Sequence, residues 1–144
     1  MKLAFIGFAV VGALGISTVC ACGVNAQVTP DGTLSTAVSG SNHYSITIGT
    51  RVGNNLFHSF SQFSVPSNGS AVFNNAADIQ NIFSRVTGGN VSRIDGLIQA
   101  QGNANLFLLN PSGIIFGKDA SLNIGGSFIA TTANSIKFAD GVEF

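Results

Sequence analysis

The sequence predicts an all-β protein, and among all-β architectures a solenoid of stacked coils is favoured over a sandwich or a barrel. Three observations lead there. Short apolar segments ("GLIQA", "NLFLL", "GIIFG", "ASLNIGGSFIATT", "SIKF") recur every eight to ten residues or so, separated by Gly, Asn, Asp or Pro. Two runs, "LFLL" and "GIIF", are almost continuously apolar, as expected of strands covered on both faces. Turn residues recur, yet no two-residue hairpin signal stands between alternating runs; Asn68-Gly69 comes nearest, and it belongs to a Pro66-led turn.

Composition agrees. Of 144 residues, 8% are charged and 45% hydrophobic, against about a quarter charged in an average chain. Asn, Ser, Thr and Gly supply most of the polarity, which suits turns and solvated strand faces better than exposed helices. Six basic residues balance six acidic ones and no Lys/Arg run exists, so the chain lacks the electrostatic footprint of nucleic-acid or acidic-lipid binding.

Residues 1–26 read as a secretory signal peptide. Lys2 precedes the apolar stretch "LAFIGFAVVGALGISTV", and small residues end at Val24-Asn25-Ala26, which places cleavage between Ala26 and Gln27. An uncleaved anchor is the rival, because Leu3 to Val24 could cross about 30 Å of hydrocarbon. Gly7, Gly12 and Gly15 weaken such a permanent helix. Lipidation at Cys22 is a looser third reading. Cys20 and Cys22 both lie in the leader, so the mature domain has no cysteine for a disulfide or a metal site.

Within the mature domain, Pro30-Asp31-Gly32 predicts a turn. "HYSITIGT" alternates Tyr44, Ile46 and Ile48 on one strand face. "NLFHSFSQFSV" places Phe57, Phe63 and Val65 on one face, with Phe60 opposite, before Pro66-Ser67-Asn68-Gly69 turns the chain. One stretch reads as a short helix. Ile79, Ile82, Phe83 and Val86 fall at helical spacing, with Asn75 as N-cap, Asp78 in the first turn, Arg85 near the end and Gly88-Gly89 as the stop. Beyond Gly89 the β pattern returns. It is interrupted by Asn110-Pro111-Ser112-Gly113, where Pro111 pre-sets φ for a turn and the Asn110 side chain can bond the backbone two residues on.

"NLFLLNPSGIIFGKDASLNIGGSFIATTA" closely resembles the most distinctive segment of the filamentous haemagglutinin N-terminal domain, the secretion domain of two-partner-secretion exoproteins. "TPDGTLSTAV", "NLFHSFSQFSV", "IQNIFSRVTGG" and "SRIDGLIQAQGNANLFLLNP" resemble the same family in the same order, so the likeness covers residues 27–144. It implies a right-handed parallel β-helix with an N-terminal cap and some extra-helical antiparallel strands. It also implies Sec-dependent export and recognition, largely unfolded, by the POTRA domains of a dedicated outer-membrane transporter. The domain would then fold outside, placing the protein at the surface or in the medium of a Gram-negative-type bacterium. The family's Asn-Pro-Asn-Gly-Ile motif falls on Asn110, Pro111, Ser112, Gly113 and Ile114, the expected recognition segment. Ser112 replaces the second Asn and tolerates left-handed geometry less well. A second motif, Asn-Pro-Asn-Leu, has no clean match; Asn74-Asn75-Ala76-Ala77 lies in the corresponding region. Family secretion domains run longer, and the chain stops at Phe144 within "IKFADGVEF", so the domain is expected to be incomplete at its C-terminus. An uncapped solenoid exposes apolar surface and strand edges, which predicts poor solubility or marginal folding for residues 27–144 alone.

No catalytic, metal or cofactor site is read. His58 lacks a positioned nucleophile and an orienting carboxylate, and is expected to be structural. Asp95, Asp119 and Asp140 are scattered, unlike the clustered carboxylates of a calcium-dependent β-helical lyase. Three functions remain: the targeting module of an adhesin, the same module heading a contact-dependent inhibition toxin, and, less favoured, a β-helical carbohydrate-active enzyme. The surface ligand is not specified by the chain.

Overall fold

The computed structural model describes residues 27–144. The leader, the cysteines and Ala26 of the expected cleavage site lie outside the described residues. Among those described there are thirteen strands and no helix. In chain order they are β1 (Val28–Pro30), β2 (Thr36–Ser39), β3 (His43–Ile48), β4 (Thr50–Val52), β5 (Asn55–Phe63), β6 (Ser70–Phe73), β7 (Asn81–Val86), β8 (Ser92–Ile94), β9 (Leu97–Ala100), β10 (Asn105–Leu109), β11 (Ile114–Phe116), β12 (Ser121–Asn123) and β13 (Phe128–Thr131).

Pairing resolves them into coils. One sheet runs β12-β9-β6-β3-β2 and a second runs β13-β10-β7-β5-β1, parallel throughout except where β1 and β2 join. A third face holds β11 and β8, extended to the first coil by the parallel bridge Val65–Ile94. The chain therefore winds through about four coils of a right-handed parallel β-helix, the hand that parallel crossovers adopt. Successive coils place like residues over one another, as in Tyr44–Ala71–Ile98 and Leu56–Ile82–Leu106–Phe128. Inward residues such as Ile46, Phe60, Phe73, Ile82, Ile94 and Ile98 are fully buried, and each contributes about 1.5–3 kcal/mol.

The N-terminal edge is closed by antiparallel strands. β4 covers Asn55–Phe57 of β5 and β1 covers Phe60–Phe63. The gap between them is filled by the Asp31 N–H donating to Ser59 O and the Ser59 N–H donating to Thr36 Oγ1. The Asp31 carboxylate also accepts from Ser59 Oγ (2.5 Å), Thr87 Oγ1 (2.7 Å) and both the N–H and hydroxyl of Thr33. Burial pushes its pKa up, but these bonds outweigh burial and hold it at about 2. Asp31 is thus the knot of the cap as well as a turn residue.

Three sequence expectations are corrected. The stretch expected to be helical forms a turn at Ala76–Ile79 and then strand β7, paired on both sides by β5 and β10. The helical spacing was an accident of two apolar faces: Ile82 and Val86 point inward around Ser84, while Phe83 points outward. In β5, Phe57 is on the outer face, whereas Phe60 and Phe63 share the core. Ser61 is skipped in the strand register with β1, and this bulge inverts the alternation between them. Ile48 leaves the face of Tyr44 and Ile46: its φ is 66° and it is 66% exposed.

His58 points into the first coil against Phe60 and Phe73, with Nδ1 3.2 Å from Thr36 Oγ1. Burial pushes its pKa down to about 4. The unfolded chain then takes up the proton first as pH falls below about 6.5, so stability declines from there to about pH 4 and levels off. Urea unfolding of the full chain is expected to lose about 3 kcal/mol across that window, and less in H58F. The depressed Asp31 carboxyl adds a separate loss, from its ordinary 3.8 down to about 2.

Candidate functional site at the Asn110 corner

The expected recognition segment forms the corner between β10 and β11. Asn110 is 1% exposed, although it is a polar residue at a turn. Its carbonyl accepts from the Gly113 N–H (3.0 Å), closing the turn, and Oδ1 accepts from the Ser112 N–H (2.9 Å). Nδ2 donates to Asn90 O (2.8 Å) and to the buried Ser92 Oγ (2.9 Å) of the preceding coil. Its backbone N–H donates to Thr131 O of the following coil (2.9 Å). One side chain and its own peptide therefore tie three coils together. Ser92 adds a bond from its N–H to Gly113 O (3.0 Å).

The rest of the segment divides by exposure. Pro111 and Ser112 are exposed, while Gly113 and Ile114 are half-buried. Gly113 has φ 117°, and a Cβ there would meet nothing closer than Val91 at 3.8 Å, so the demand for glycine is conformational. Ser112 is absent from the residues with positive φ, so replacing the motif's second Asn by Ser brings no left-handed strain. The exposed side of the corner borders a cavity of about 270 Å³ lined in part by Arg85, Thr87, Pro111, Ser112 and Asn134.

A related corner stands at Asn74-Asn75, in the region of the second motif, where the sequence predicts a helix N-cap and the structure forms no helix. Asn75, between β6 and β7, accepts from the Gln101 N–H through Oδ1 (3.0 Å) and donates through Nδ2 to Gln101 O (3.2 Å) and Ala76 O (3.0 Å). Its amide acts as an extra peptide pairing with the next coil. Asn74 beside it donates to Ser45 Oγ (2.6 Å) of the coil before. The missing Pro and Leu hid this corner; the signal present was the Asn pair itself, where the pattern left the strand period.

His58 has Thr36 as its hydroxyl partner, in the core and away from this corner. Among the described residues, no three of His, Cys, Asp and Glu converge as metal ligands.

An antiparallel cap feeding a parallel β-helix, with coils tied at asparagine corners, defines a solenoid of the secretion-domain class. A family model of the TPS secretion domain matches residues 26–144, and the chain belongs to that family, the targeting domains of two-partner-secretion exoproteins. It is similar to the crystal structure of the filamentous hemagglutinin secretion domain, with a TM-score of 0.62 over 77% of this chain and 44% of that one. At 23% identity that likeness speaks for the fold alone. Over 49 residues the chain is 43% identical to the heme/hemopexin-binding protein of Haemophilus influenzae (strain ATCC 51907 / DSM 11121 / KW20 / Rd). That match covers 34% of this chain and 5% of the relative, so the chain corresponds to a small part of that protein's length.

Replacing Asn110 by Ala removes the donors to Asn90 O and Ser92 Oγ in a buried place, which is expected to cost about 2–4 kcal/mol in urea unfolding. G113A is expected to cost about 1–3 kcal/mol through backbone strain, and S112A to stay within about 0.5 kcal/mol of the parent.

Proposed function

We propose that residues 27–144 serve as the secretion-targeting and folding-nucleation module of an adhesin-type exoprotein, acting by recognition and folding without catalysis. The leader directs Sec export and is removed between Ala26 and Gln27. The POTRA domains of a cognate outer-membrane transporter then bind the unfolded chain around Asn110–Ile114, and the coils assemble outside. The family match and the likeness to a heme/hemopexin-binding protein favour an adhesin-type passenger over a toxin or a carbohydrate-active enzyme.

One observation carries the order of events. In the folded domain the Asn110 side chain is buried and fully engaged, so a transporter that reads it must do so before folding. Pro111 and Ser112 remain accessible in both states. A fold-only role for Asn110 is the competing reading, favoured by its ties to three coils.

The test is export of the full chain, fused to a reporter, from Gram-negative cells with and without the transporter. Transporter-dependent appearance outside is expected, with P111A and S112A reducing export while leaving urea unfolding within about 1 kcal/mol of the parent. Export that ignores the transporter, or retention of the parent chain in the periplasm, would overturn the targeting reading. Export that follows stability alone across N110A, P111A and S112A would assign the segment to folding only.

A further inference from the structure

Three consecutive coils repeat one triad: Asn55-Leu56-Phe57, Asn81-Ile82-Phe83 and Asn105-Leu106-Phe107. The strand register superimposes them residue on residue. The middle residues, Leu56, Ile82 and Leu106, point into the core and are buried. The flanking residues point outward and form two ladders. Asn105 Nδ2 donates to Asn81 Oδ1 and Asn81 Nδ2 donates to Asn55 Oδ1, each at 3.0 Å across 24 and 26 residues of chain. Phe57, Phe83 and Phe107 stack with centroids 5.1 and 4.7 Å apart and rings 19° from parallel.

Both ladders end at the fourth coil, where Phe128 again points inward but Ser127 and Ile129 replace the Asn and Phe. There the Ser127 N–H donates to Asn105 Oδ1 (2.8 Å) and ends the amide series. The aromatic stack is also covered from outside. Residues 136–144 form a small hairpin, closed by the paired bonds of Ile136 and Phe144. It sets Phe138 edge-on against Phe83 (5.2 Å) and Phe144 against Phe57 (5.0 Å), with Arg85 over Phe144. A segment that follows the fourth coil thus reaches back to the first two.

We infer that the Asn and Phe ladders set the register of the first three coils, and that residues 136–144 clasp that register once it has formed. The core alone does not set it. A slip of one residue between coils turns every apolar side chain outward and is rejected by burial. A slip of two keeps the inward and outward sets apart, so burial opposes it far less than a slip of one; within the core only His58 and Ser84 interrupt the aliphatic columns. The same slip places Asn81 against Phe57, or Phe83 against Asn55, and removes both the amide bonds and the ring stack. Beside the asparagine corners, the two ladders therefore supply discriminating contacts on the outside of the helix, in the coils nearest the cap. This rests on the folding half of the proposed function and is independent of which transporter reads the chain.

The experiment needs no export. The full chain, with C20S and C22S, receives V72C/Q99C, a pair opposed in the native register of β6 and β9. A second variant carries V72C/L97C, opposed only after a slip of two. β9 leads into β10 through four residues, so a slipped β10 draws β9 with it. After refolding and oxidation, the parent is expected to cross-link at 72–99. Exchanging the ladder residues (N81F with F83N) should move most of the cross-link to 72–97 or suppress both. I82V, which weakens the core and spares the ladders, should keep the native pair. If the exchange fails to fold, N81A and F83L are read singly, and each should lower the native yield severalfold where I82V does not. An unchanged 72–99 yield in the exchange or in both single variants, or an equal loss in I82V, would overturn the inference. The clasp is tested by F138A with F144A, expected to leave the cross-link at 72–99 but to speed proteolysis of the folded chain by about tenfold, as the loss of two aromatic contacts implies; unchanged proteolysis would remove it.

Discussion

Each strand of a parallel stack takes its hydrogen-bond partner from the coil before it, so the first coil must be completed by something other than a coil. Here that burden falls on the outer edge of β5. β4 and β1 each cover one end of it, and Asp31 and Thr36 satisfy the backbone of Ser59 between them. With that edge closed, every later coil has a finished template on which to pair. The same few atoms reach the core, because Thr36 Oγ1 also meets His58. The cap is therefore joined to the first coil by polar contacts on the outside and by a neutral imidazole on the inside. Both respond to acid, in separate pH windows.

The corners apply the same logic at right angles to the sheets. A strand that turns leaves peptide groups unpaired, and an asparagine side chain is an amide that can stand in for a missing peptide. Asn75 pairs with Gln101 in this way, and Asn110 spans the coils on both sides of its own. Burial gives Asn110 two incompatible circumstances. In the unfolded chain it is open to a partner; in the coil it is locked away. Under the proposed recognition by a transporter, a residue of this kind would link completion of folding to release of the chain.

Much of this was legible in the chain, and the failures have physical causes. The corner at Asn110–Gly113 could be read because Pro and Gly restrict φ locally, whatever surrounds them. The solenoid could be read from evenly spaced apolar runs. Strand β7 was misread because its outward Phe83 lies between Phe57 and Phe107, and an apolar outer face destroys the alternation that marks a strand. Phe63 was put on the wrong face because a bulge at Ser61 exists only in relation to β1. The Asn-apolar-Phe triads were visible as text, but their meaning depends on superposition, and coil lengths of 26 and 24 residues conceal it from any fixed repeat.

By itself, the sequence determined what depends on a residue and its immediate neighbours: β rather than α composition, the turn at Asn110, the need for glycine at 113, and family membership through ordered motifs. Tertiary structure alone decided which side chains stack, which edge is capped, and that Asn110 is buried rather than displayed. Most of those outcomes are set by partners about twenty residues away or more, and no local preference encodes such a partner's position until the chain has closed upon itself.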